Sequence, residues 1–100
     1  MEQKNNHLTS FDDFLDEKYG KIGTEKRTEF EIGAKSFAIG EIIKEERRLQ
    51  KLTQEQLATK TGTKKSYISR IENGHSDIQL GTLYRLVELG FGKRVNVAIW

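Results

Sequence analysis

Cysteine and proline are absent from this 100-residue chain, and methionine and tryptophan occur once each. Without cysteine there is no disulfide framework and no thiolate-bound zinc, which fits a reducing compartment. No apolar run approaches the roughly 20 residues that a membrane span needs. The N-terminus lacks the apolar core of a signal peptide, so a cytoplasmic chain with no membrane partner is expected. Glycine-rich phosphate loops and nucleophile–base motifs are missing too. His7 and His75 stand in polar segments without other metal ligands near them in sequence. Asp12, Asp13, Asp16 and Glu17 read as the solvated face of a small helix rather than a hard-cation site. The expectation is a chain that is not an enzyme, with no cofactor and no metal.

What is present is charge, and it is unevenly placed. Residues 1–34 carry five Lys and Arg against eight Asp and Glu, a balance of −3, whereas residues 35–100 carry twelve against seven, or +5. A basic segment suits phosphate binding, and an acidic arm suits a second, basic partner. A merely solvated arm is the alternative. One hundred residues allow one domain with a modest core plus an appended arm.

Along the chain, residues 1–8 are polar and are expected to be disordered. Thr9 and Ser10 are expected to cap a helix from about Phe11 to Tyr19, with Phe11, Phe14 and Leu15 on one face. Gly20 and Gly23 bracket a turn. Thr24 then caps a segment that continues through Gly33 into a helix ending near Gln50, with Ile39 and Ile43 toward the core. A later helix, from about Leu80 to Leu89, turns Leu80, Leu83, Leu86 and Val87 inward, and Gly90 and Gly92 stop it. In residues 93–100, Val95, Val97 and Ile99 alternate with Asn96 and Ala98, which predicts a short C-terminal β-strand.

The middle of the chain is the most informative. Thr53 is a good N-cap, and Gln56 three residues on completes a capping box. Gly62 closes that helix. A second helix begins near Lys64 and buries Ile68 and Ile71, while Lys65, Ser66, Ser69, Arg70 and Asn73 occupy its polar side. Such a short helix, apolar on one side and rich in donors on the other, suits a DNA major groove. Arg70 can fork onto guanine, and Lys64 and Lys65 supply electrostatic affinity. The alternative for Arg70 is an ion pair within its own protein.

From Leu52 to Ala58 (Leu-Thr-Gln-Glu-Gln-Leu-Ala) and from Ser66 to Gly74 (Ser-Tyr-Ile-Ser-Arg-Ile-Glu-Asn-Gly), the chain resembles the Xre or lambda-repressor-like helix-turn-helix family. The resemblance runs from about Ile39 to Leu89. It implies that Gln54 meets backbone or base, that Lys65, Ser66 and Arg70 reach base edges, and that Thr53 and Asn73 hold phosphates. It also implies a structural ion pair between Arg47 and Glu72. Two positions depart from the family pattern: Lys51 stands where glycine is usual, and Glu46 where an apolar residue is common.

The stretch from Tyr19 to Glu31, followed by Phe37 to Ile43, is similar to the region preceding the helix-turn-helix in HigA-type antitoxins. Members of that group neutralise a RelE/HigB-like, mRNA-cleaving toxin and repress their own operon. The resulting expectation is a mainly α fold: a lambda-repressor-like helix-turn-helix bundle with an N-terminal helical arm and a C-terminal strand. Residues 1–34 would form the acidic arm, with Phe11, Phe14, Leu15 and Tyr19 meeting a basic toxin. Residues 35–92 would bind operator DNA, and residues 93–100 would pair in a homodimer. The rivals are a phage- or mobile-element-type regulator without a toxin, and an adaptor that no longer binds DNA.

Overall fold

The computed structural model describes residues 6–100, with side chains from Ser10 onward. It divides into two compact units, residues 1–34 and 35–100. Among the described residues, no helix is long and apolar enough to cross a membrane.

The first unit is a helical hairpin. Helix α1 spans Asn6–Tyr19, and α2 spans Glu25–Leu49, of which the part up to Ala34 belongs here. Helix α1 starts earlier than the expected Phe11, so Thr9 and Ser10 lie inside it and are not its caps. Neither glycine nor proline interrupts Asn6–Ser10, and nothing local stops the helix from propagating backward. Of the segment 1–8, expected to be disordered, residues 1–5 lie outside the described residues, and residues 6–8 belong to α1 instead. At the turn, Gly20 and Gly23 hold φ of 93° and 98°. Thr24 accepts from Arg27 N at 3.3 Å and donates to the Lys21 carbonyl at 2.7 Å, which starts α2.

Two contacts join the two arms of the hairpin. Tyr19 and Phe30 stack with centroids 3.9 Å apart. Arg27 is buried, and its guanidinium donates to Asp16, the Gly20 carbonyl and Glu31 at 2.9–3.0 Å. The hydrogen bond to Glu31, then that to Asp16, raises its pKa against the opposing effect of burial. A buried charge is tolerable only when so fully partnered.

The second unit holds the remainder of α2, then α3 (Gln54–Thr61), α4 (Lys65–Glu72) and α5 (Leu80–Tyr84). Helix α5 runs on as a π-helical segment, Arg85–Gly90. Ile43, Leu57, Ile68, Ile71, Leu86 and Phe91 form the core, packed by Ile39, Leu52, Tyr67, Leu83 and Val87. Against expectation, Leu80 is mostly exposed, because it opens the helix ahead of the face that packs. The last turns are widened rather than α-helical, and Gly90 is packed against α3. A Cβ on Gly90 would come within 2.6 Å of Leu57 Cδ1.

Both departures from the family pattern have a structural role. Lys51 sits at the end of α2 with φ of 59°, where Lys51 N bonds the Arg48 carbonyl and Leu52 N the Arg47 carbonyl, each at 3.0 Å. That is a Schellman closure, whose left-handed residue is ordinarily glycine; a side chain there costs about 1 kcal/mol. Glu46 points to solvent-side partners instead of the core. It accepts from Lys93 at 2.9 Å and Gln50 at 2.7 Å, and these bonds hold its carboxyl below the usual range.

No strand forms at residues 93–100, which corrects the sequence expectation. A strand needs a ladder for its backbone donors and acceptors, and the described residues offer no other strand. The segment is tethered by Lys93 to Glu46 and follows the Gln50 bond to the Phe91 carbonyl. Val95 and Val97 line a groove of 750 Å³ with Ile39, Ile42, Leu83 and Val87, while Ile99 and Trp100 are fully exposed.

Candidate nucleic-acid interface

Helix α3 begins with a complete capping box: Thr53 Oγ1 accepts from Gln56 N at 3.0 Å, and Gln56 Oε1 accepts from Thr53 N at 2.8 Å. It ends at Gly62, in the left-handed conformation, whose N–H bonds the Ala58 carbonyl at 2.9 Å. Three residues later α4 begins. Lys64 precedes it as an N-cap in extended geometry with no side-chain cap, which suits the helix start to an anionic group.

Helix α4 is fixed from behind by an ionic network. Arg47 Nε and Nη2 donate to both carboxylate oxygens of Glu72 at 2.7 and 3.0 Å, and Arg47 Nη1 donates to the Leu52 carbonyl at 2.8 Å. Gln54 Nε2 donates to the same carboxylate at 3.0 Å. Thus α2, α3 and α4 meet at one buried glutamate. The bond to Glu72 raises the Arg47 pKa, outweighing burial. Gln54 commits its amide nitrogen to this network, and Thr53 commits its oxygen to the cap.

On the outer face of α4, Lys65, Ser66, Arg70 and Asn73 are exposed, as is Lys64, while Ser69 is half-buried. Two concavities flank the start of this helix. One, of 530 Å³, lies between Arg48, Lys51, Thr53, Gln54 and Lys65. The other, of 580 Å³, is walled by Lys64, Ser66, Arg70, Gln79, Thr82 and Arg85. Arg48, Gln79, Thr82 and Arg85 are not singled out in the sequence, and Lys51 is noted there only as a departure from the glycine usual at its position. Gln79, Thr82 and Arg85 recur every third residue, which puts them on one face of a helix; that spacing was the available signal. In the other unit, Phe11 and Phe14 are exposed, Leu15 is half-buried, and Tyr19 is stacked on Phe30.

A basic, donor-rich helix held rigidly across a second helix defines a helix-turn-helix domain. Residues 43–89 match a family model described as helix-turn-helix. That match implies binding to DNA, as in a transcriptional regulator. No curated protein and no solved structure matches the chain.

Proposed function

We propose that this chain is a DNA-binding antitoxin, repressing its own operon through residues 35–92 and capturing a basic, RelE/HigB-like toxin through residues 1–34. One observation carries the toxin half. An acidic unit, compact by itself, leaves Phe11 and Phe14 56% and 51% exposed on α1. Isolated apolar residues at a surface need no explanation, but two aromatics one turn apart suit a partner's groove. Acidic surroundings complement a basic ribonuclease. The rival reading, a regulator with a structural arm, draws on the Tyr19–Phe30 stack and the Arg27 clamp, which order the hairpin internally.

The discriminating experiment expresses the small basic protein encoded beside this gene with the full chain or with a chain beginning at Lys35. The full chain should restore growth and form a stable complex, and the shorter one should bind DNA without restoring growth. Rescue by the shorter chain would remove the arm from the mechanism.

On the DNA side, Arg70→Ala is expected to lose about 1–3 kcal/mol on the preferred site and to relax base choice there. Lys64→Ala should weaken all duplexes alike and lower the salt slope by about one unit. An Arg70→Ala variant with unchanged affinity and site preference would disqualify α4 as the reader. A homodimer belongs to the same proposal, since two-fold symmetry matches a palindromic operator. Its contact surface is the tail around Val97, Ile99 and Trp100, without a strand ladder. Sedimentation of the DNA complex should find two chains per palindrome.

A further inference from the structure

Tyr67 lies on α4, one turn before Arg70, with its ring half-buried against the core. The Arg70 guanidinium sits 5.4 Å from the centre of that ring. Its hydroxyl uses both of its capacities on the loop that follows α4. It accepts from Gln79 N at 3.1 Å and donates to the Asp77 carbonyl at 3.2 Å. Gln79 precedes α5 and has no side-chain cap of its own, so the tyrosine hydroxyl holds the start of that helix. Within the loop, Ser76 Oγ reaches only its neighbour's carbonyl, at 3.3 Å. The main-chain bond from His75 N to the Arg70 carbonyl, 3.0 Å, fixes the loop's beginning rather than its end.

One side chain therefore touches both walls of the concavity beside α4. Arg70 lies on one wall, and Gln79, Thr82 and Arg85 follow from the other. We infer that Tyr67 is a positioning residue for DNA recognition, setting the spacing between the Arg70 row on α4 and the row Gln79, Thr82 and Arg85, which runs from just before α5 into the π-helical segment. The inference rests on the DNA-binding reading above. A cation resting on an aromatic face has fewer orientations to lose when it meets a base edge. Backbone-facing groups on a pinned helix start can engage phosphates together with the reading helix, and phosphate contacts fix register.

Tyr67→Phe keeps the ring and removes only the hydroxyl, so the packing is retained and the variant tests the anchor directly. The probes are a duplex that wild-type protein selects from a random-sequence pool and a scrambled duplex of equal length. In the free Tyr67→Phe protein, amide exchange at residues 75–79 should quicken by roughly 5-fold, in line with losing one or two modest hydrogen bonds. Affinity should fall by a similar factor on both duplexes, with a shallower salt dependence and an unchanged ratio between them. Tyr67→Leu removes the ring as well and should in addition shrink that ratio by about 10-fold, comparable to losing one good base contact. Faster exchange with unchanged affinity and salt slope in Tyr67→Phe would overturn the positioning role, as would weaker binding without faster exchange. If the wild-type chain binds no duplex, the DNA reading falls and this role with it; a binding wild type and an indifferent Tyr67→Phe remove the role alone.

Discussion

Glu72→Ala is expected to destabilise the helix-turn-helix unit by about 3 kcal/mol, the low end of the cost of leaving a buried ion partner alone. Glu72 is 4% exposed and accepts three hydrogen bonds, two from Arg47 and one from Gln54. Its removal strands the Arg47 guanidinium in a mostly buried position, with only the Leu52 carbonyl remaining of its partners here. It also frees Gln54 from α4. Urea unfolding monitored by helical circular dichroism gives the stability change directly. The double variant Arg47→Met with Glu72→Met should recover most of the loss, because apolar replacement of a whole buried pair is often neutral. A loss under about 1 kcal/mol for Glu72→Ala would mean that the network orients the helices without stabilising them.

Gly40→Ala is the second large effect. Gly40 is buried in the middle of α2, and a Cβ there would collide with the carbonyl oxygen of Ile71. Ile71 is fully buried, and Glu72 beside it is bound to Arg47, so α4 cannot shift cheaply. Overpacking of this kind costs typically about 1–3 kcal/mol, more than the roughly 1 kcal/mol that alanine gains over glycine in a helix. Net destabilisation of up to about 2 kcal/mol is expected, together with weaker DNA binding as α2 and α4 move apart. Gly33→Ala is the control. The same helix offers open space there, with nothing within 4 Å of an added Cβ, so it should stabilise by up to about 1 kcal/mol. Thermal unfolding that ranks the two variants in the opposite order would refute the close approach at Gly40.

The elements legible in the sequence are those whose causes are local. The Thr53–Gln56 box and the Gly62 closure bound α3 because cap chemistry acts within four residues. Ile43, Leu57, Ile68, Ile71 and Leu86 are buried because their helical spacing collects them on inward faces. The outward row on α4 follows from the same periodicity. The illegible features each depend on a group distant in sequence. Alternation at Val95, Val97 and Ile99 looks like a strand, but alternation supplies no ladder partner. Arg27 reads as one more surface cation of a charged segment until α1 delivers Asp16 to it. Phe91 stands after a glycine in an apparent tail, yet is buried because the widened end of the last helix brings it onto the core.

The sequence by itself determined closely where the helices of the second unit begin and end, most of the faces they bury and which charges they leave outside. These outcomes are set by capping, by a period of 3.6 residues and by the conformational freedom of glycine, all of which act within a few residues. Only the tertiary structure decided that Gly40 lets α2 meet the end of α4, and that Glu72 binds two other helices at once. The same holds for Tyr67, whose hydroxyl reaches a loop ten residues and more beyond it. Hydrogen bonds and close packing require atoms a few ångströms apart, and which residues come that close depends on how the finished helices pack against one another.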